Sequence, residues 1–201
     1  MTVTDSGRLP VAEGAKRRRG VELQHAIFDT VFDLINEIGY ARVTMERVAV
    51  AAGTSKAVLY RRWDDKESLV LDALRESLPT IPEVPDQGNL RDDLLAVLEV
   101  VRSAFAMTKG TAFHLVAAEA GGDCRALADE RVFAPAHDAI LTTMRRAVER
   151  GEARPELVTD LVADIGTALL RSRAIDGEIP PESLVTSIVD EVLLPLLRST
   201  R

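Results

Sequence analysis

The sequence predicts an all-α fold of about nine helices, split into two domains at one proline-rich connector. Three observations predict it. Apolar residues recur at intervals of three and four through every long segment, and no stretch alternates as a half-buried strand does. Hydrophobic residues make up 46% of the 201-residue chain and aromatic ones 4%, so the apolar content is chiefly Ala, Leu and Val, which suit packed helices. Glycine and proline fall between the periodic segments, most densely in PTIPEVPDQGN, where Pro79, Pro82 and Pro85 stop a helix and stiffen the chain.

Residues 1–20 are polar, rich in breakers and without an apolar signal core, so a disordered arm carrying Lys16-Arg17-Arg18-Arg19 is expected. The first helix is expected from about Val21 to Ile38. Leu23, Ile27, Val31, Leu34 and Ile38 form its inward stripe, with Phe28 and Ile35 beside it, and Gly39 stops it. Thr44 caps a second helix whose apolar face is Met45, Val48, Ala49 and Ala52. Gly53 closes that helix, because a left-handed backbone is cheap only without a Cβ. Thr54 or Ser55 caps a third helix running to about Trp63, with Leu59 and Trp63 inward. Asp64 and Glu67 then read as a capping box for a fourth helix reaching Leu78.

Beyond the connector, a fifth helix is expected over about Leu90–Met107 and a sixth over about Thr111–Ala120. A seventh, from about Asp123 to Arg150, contains Pro135, where a kink or restart is expected. An eighth covers about Thr159–Ile175. A ninth opens at Pro180-Pro181 and ends near Leu197, with its last turn loosened by Pro195.

The stretch of residues 44–66 reads as helix, tight turn, helix. Lys56, Ala57, Tyr60 and Arg61 share the outward face of its second helix, with Arg62 at the edge. Cations, a phenol and a small residue that permits close approach suit a DNA major groove. The wider segment GYARVTMERVAVAAGTSKAVLYRRWDDKESL resembles the amino-terminal domain of the tetracycline-repressor (TetR) family of bacterial transcription regulators. The marks are Gly39-Tyr40, Thr44, Val48-Ala49, Ala52-Gly53, Ser55-Lys56, Leu59-Tyr60, an aromatic at 63 and Lys66-Glu67-Ser68-Leu69. The resemblance covers residues 22–75. Further on it continues in helical layout and a loose RGE…P element at Arg150–Pro155. Trp63 stands where the family more often has Phe.

The resemblance implies a DNA-binding domain over 21–78 and an effector-binding and dimerisation domain over 90–201. It places Lys56, Ala57 and Tyr60 near bases or backbone, Thr44 and Lys66 at phosphates, and Ser55, Arg61 and Arg62 beside them. The expected partners are double-stranded operator DNA, a second copy of the chain and a small-molecule effector. No metal, cofactor or membrane is expected. The expected activity is repression, the alternatives being an activator, a regulator without effector, or a helical enzyme or metal-binding bundle.

Residues 1–78 hold 12 basic and 12 acidic side chains, so the net charge of −7 belongs to the remainder, with 13 and 20. Local field decides binding to phosphate, and the basic groups of the first 63 residues cluster at 16–19 and around 42–62. The arm either adds unspecific affinity, reaching a minor groove, or is a solvated tail. A single cysteine, Cys124, excludes an internal disulfide and suits a reducing, cytoplasmic compartment. No phosphate loop, CxxC pair or HExxH occurs, and His114, Glu119 and Asp123 are spaced onto different helix faces, so neither catalysis nor metal binding is expected.

The eighth and ninth helices carry more apolar residues than one face needs. Either they are central in a monomer core, or they pair with a second copy through Ala163, Gly166, Leu170, Ile188, Val192 and Leu193. On the seventh helix Phe133, His137, Ile140 and Met144 form one stripe. His137 is either a hydrogen-bonded core residue or the polar handle of a largely apolar ligand cavity shared with Phe105, Phe113 and His114.

Overall fold

The computed structural model describes residues 12–81, 86–110, 122–174 and 178–198, and of residues 12–19 the backbone alone. Among the described residues every regular element is helical.

The first helix, α1, spans Ala12–Ile38 and so begins nine residues before Val21. The expected disordered arm is therefore helical from Ala12, which puts the 16–19 basic run on helical backbone. Its residues are strong helix formers, and the cost of Gly14 and Gly20, about 1 kcal/mol each, does not stop propagation from the long amphipathic stripe behind them. Gly39, at φ 79°, ends α1, and a 3₁₀ turn over Tyr40–Arg42 follows.

Helix α2 (Met45–Ala51) is capped by Thr44, whose hydroxyl accepts the Arg47 N–H at 3.2 Å. Gly53, at φ 62°, makes the turn, and Ser55 caps α3 (Lys56–Tyr60) by accepting the Val58 N–H at 3.3 Å. Helix α3 is shorter than expected, but bonds from the Arg62 and Trp63 N–H groups to the Leu59 carbonyl carry the winding to Trp63. Helix α4 (Lys66–Ser77) starts one residue later than the expected Asp64 cap allows. Asp65 accepts the Ser68 N–H at 2.8 Å, and the Ser68 hydroxyl accepts the Asp65 N–H at 3.3 Å, so the capping box is Asp65–Ser68, not Asp64–Glu67.

The head is closed by Ile27, Phe28, Val31, Phe32 and Ile35 of α1 against Val48, Leu59, Trp63, Leu69 and Leu74. The Trp63 ring fills the aromatic slot 5.7 Å from the Phe28 ring. Its N–H, which a phenylalanine would lack, donates to Asp72 at 3.0 Å.

Helix α5 (Leu90–Met107) has its expected bounds, and Asn89 caps it. The expected sixth helix lies outside the described residues. The seventh is continuous but not uniform: α6 (Gly122–Ala128), a π-turn (Asp129–Phe133) and α7 (Ala134–Glu149). The eighth is α8 (Asp160–Arg173), capped by Thr159. The ninth is α9 (Glu182–Ser187), a second π-turn (Ile188–Leu193) and α10 (Leu194–Leu197). Both π-turns end two residues before a proline, Pro135 and Pro195. Proline lacks the N–H and clashes with the carbonyl four residues back, and widening the turn relieves both.

The RGE…P element is a clamp. Arg150 donates to the fully buried Asp93 at 3.2 Å and to Asp86 at 3.0 Å, while Glu152 accepts the Leu90 N–H at 2.7 Å. Burial would raise the Glu152 carboxyl, but the Leu90 N–H and Arg150 hold it below its usual range. Gly151, at φ 74°, terminates α7 between them. Head and core meet where Asn36 of α1 donates to the Lys109 carbonyl at 2.7 Å and Arg131 donates to the Arg75 carbonyl at 3.1 Å.

Candidate nucleic-acid interface

Burial of Leu59 and Trp63 decides what α3 shows to solvent. With those two in the head core, helical geometry turns Lys56, Ala57, Tyr60 and Arg61 outward, and all four are exposed, Tyr60 by 51%. Thr44 and Ser55, both exposed, stand at the starts of α2 and α3. Each hydroxyl spends an acceptor site on its cap and keeps a proton to donate.

Three of the cations have partners within the head. Lys56 Nζ lies 3.1 Å from Glu46 Oε1 of α2, both groups exposed. Arg62 turns away from the α3 face and lies along α1, where Nη1 donates to Gln24 Oε1 at 3.1 Å. Lys66 is half-buried: it donates to the Tyr40 carbonyl at 3.0 Å and stands 4.0 Å from the centre of the Tyr40 ring. Burial, aided by the Glu67 carboxylate, pushes the Tyr40 phenol up to about 12. The open face is thus Lys56, Ala57, Tyr60 and Arg61, edged by Thr44 and Ser55, with Arg62 beside α1 and Lys66 turned to the chain itself. Sequence reasoning missed Glu46 and Gln24, since ion pairs and hydrogen bonds between helices leave no local spacing to read.

In the second domain the expected ligand stripe divides. Phe105, Ile140 and Met144 are buried in the core, whereas Phe133 is half-buried with the Arg171 guanidinium 4.6 Å over its ring. His137 is half-buried and bridges to α8. Its Nδ1 is 2.8 Å from Asp164 and its Nε2 3.3 Å from Asp160, both on α8. It sits three residues from Ile140, hence about 60° round the helix, at the edge of the buried face. Phe113 and His114 lie outside the described residues. A cleft of ≈ 500 Å³ opens elsewhere, between residues 89–91, Gly151-Glu152, Leu194 and Arg198.

The expected dimer residues also divide. Ala163, Gly166, Leu170, Ile188 and Leu193 are buried within the chain itself. A Cβ on Gly166 would lie 2.9 Å from Leu98 and 3.4 Å from Leu193, so its smallness serves the packing of α8 on α5. Of the six, Val192 is exposed, and the apolar residues that α8 leaves in solvent are Leu161, Ala168 and Leu169, with Ile165 half-covered. Among the described residues no helix is long and apolar enough to cross a membrane, and no group of three or more His, Cys, Asp or Glu could hold a metal.

Comparison with known proteins agrees with this geometry. Residues 27–73 match the family model for bacterial regulatory proteins of the tetR family, and residues 84–192 match that for a tetracyclin repressor-like C-terminal domain. An uncharacterised HTH-type transcriptional regulator of Mycobacterium tuberculosis is 36% identical over 83% of this chain and 84% of its own. The DNA-binding transcriptional repressor TetR of Mycobacteroides abscessus is 31% identical over 90% of this chain and 96% of its own. In fold, the chain is similar to a TetR transcriptional regulator from Agrobacterium tumefaciens, with a TM-score of 0.62 at 19% identity over 89% of this chain and 95% of the other. The chain belongs to the tetR family of bacterial regulatory proteins and is a DNA-binding transcription regulator, not an enzyme.

Proposed function

We propose that this regulator is a cytoplasmic homodimeric repressor that binds a near-palindromic operator in double-stranded DNA and is released by a small, largely apolar effector. The observation that carries the DNA reading is the open face of α3. Lys56 and Arg61 supply charge for phosphate or guanine edges, Ala57 lets the backbone approach, and the Tyr60 phenol reaches a base or phosphate. Thr44 and Ser55 donate hydroxyl protons to phosphates at the rim. Arg62 adds a phosphate contact from beside α1, and Lys66 adds one by exchanging the Tyr40 carbonyl for a phosphate oxygen.

Support for a dimer comes from Leu161, Ile165, Ala168 and Leu169, which recur at helical spacing on the outer side of α8, with Val192 exposed on the following segment. Paired across that surface, two heads would meet successive major grooves about 34–36 Å apart. Repression is favoured over activation by the Mycobacteroides abscessus relative, which is named a repressor. An apolar effector fits the surroundings of Phe105, Ile140 and Met144. Because those side chains are packed in the core, entry would displace helices, and the ligand would shift the DNA-binding equilibrium by its differential affinity.

Sequencing the genomic fragments retained by the purified protein should return a near-palindrome. A folded variant with Lys56, Tyr60, Arg61 and Arg62 all changed to Ala should retain none. Enrichment of single half-sites, or full retention by the variant, overturns the reading.

A further inference from the structure

Arg62 is the one cation at the end of the recognition segment whose direction is set by a chain of side-chain hydrogen bonds. Its Nη1 donates to Gln24 Oε1 at 3.1 Å. Gln24 Nε2 in turn donates to Glu76 Oε2 at 2.8 Å, and the other Glu76 oxygen, Oε1, lies 3.0 Å from His25 Nε2. The chemistry allows one orientation of the Gln24 amide. A guanidinium only donates and a carboxylate only accepts, so the oxygen faces Arg62 and the nitrogen faces Glu76. The guanidinium is also bounded on its flanks. Its carbon is 5.9 Å from the centre of the Trp63 ring, and Nη2 is 3.7 Å from where a Cβ on Gly20 would stand.

We propose that Gln24 and Glu76 are positioning residues for DNA binding: their hydrogen-bonded relay from α4 through α1 holds Arg62 in the pose in which its guanidinium meets the DNA backbone. An arginine left free loses many rotamers when it binds, and one already fixed loses fewer. Gln24 uses one amide oxygen on one guanidinium nitrogen, so the remaining donors stay available for phosphate. Glu76 acts at one remove: by fixing Gln24 it decides where the amide oxygen points, although its own negative charge repels DNA.

The inference rests on the reading of Arg62 as a DNA contact, and a double-mutant cycle separates the two. The probe is the genomic duplex that the wild-type protein retains. Arg62→Ala should weaken binding by about tenfold or more and reduce the slope of log affinity against log salt by about 1.8, as each of the two protomers neutralises one phosphate fewer. Unchanged binding in Arg62→Ala removes Arg62 from the interface and the proposal with it. Gln24→Leu should weaken binding by no more than Arg62→Ala does, with the phosphate contact kept at a greater ordering cost, and the double variant should lose no more than Arg62→Ala alone. The exposed Glu76 carries the test should Gln24→Leu fold poorly. Glu76→Ala should weaken binding, whereas Glu76→Gln, whose amide oxygen still accepts from Gln24, should bind as wild type or tighter. A merely electrostatic Glu76 would make both variants tighter alike, and that outcome overturns the proposal. So does wild-type affinity in Gln24→Leu while Arg62→Ala is impaired, or losses that multiply in the double variant.

Discussion

Asp93 is a fully buried carboxylate at the start of α5, held by the Gln87 N–H at 2.6 Å and by Arg150 at 3.2 Å. Removing the guanidinium leaves a buried charge with one neutral partner, so Arg150→Ala should cost about 3–5 kcal/mol in urea unfolding, far more than a surface ion pair. Adding Asp93→Asn should recover part of that loss. His137 offers a different test. Its hydrogen bond to Asp164 favours the imidazolium and raises its pKa above the usual 6.5; burial opposes the rise, and the hydrogen bond to Asp160 adds to it. A group whose folded pKa is raised contributes stability that is complete below its unfolded pKa and disappears as pH rises through the folded value. The thermal midpoint should therefore fall from about pH 6.5 upward, and His137→Gln should flatten the profile in that window. An identical profile in both proteins would show that the α7–α8 bridge holds no proton.

At the scale of the element, most helices are readable because their signals are local. Thr44, Ser55, Thr159 and the stop at Gly39 act on their own backbone, and the sequence-based bounds of α5 are those observed. The π-turns are not readable. Each adds one residue to a turn without changing composition, and that residue rotates what precedes it by about 100° relative to the following helix. This is why Val132 is buried and Phe133 only half so, against the stripe drawn through Phe133, His137 and Ile140. The start of α1 escapes a sequence reading for the opposite reason: Gly14 and Gly20 read as breakers, but a long helix absorbs them. The basic run continues on helical backbone into Gly20, where a Cβ would stand 3.7 Å from Arg62 Nη2, the cation proposed to meet DNA. Deleting residues 1–19 should therefore make the salt dependence of DNA binding shallower, by about 0.9 log units for each phosphate that the run neutralises. An unaltered slope would mean that the basic turn faces solvent.

For the molecule as a whole, the proposed nucleic-acid face is legible because two buried residues, Leu59 and Trp63, fix what is left outside. The proposed dimer face is less so, since hydrophobic content says that α8 has two apolar sides without saying which side its own core takes. Gly166 attracts attention for its smallness, yet what it admits is Leu98 of the same chain, and Leu161, 77% exposed, is the better marker of an uncovered surface. The two positions should therefore respond differently. Leu161→Glu with Leu169→Glu puts charge where only a second copy would exclude water, so the variant should keep its helical fold and lose only the concentration-dependent part of its stability, sediment as a monomer and bind DNA weakly, because two half-sites act through effective concentration. Gly166→Leu should act inside the protomer, where overpacking against Leu98 and Leu193 costs about 1–3 kcal/mol and lowers the thermal midpoint before any change in assembly is seen. A wild-type protein that sediments as a monomer at micromolar concentration, or a Leu161→Glu, Leu169→Glu protein that remains a dimer, would show that the seam lies elsewhere than on this side of α8.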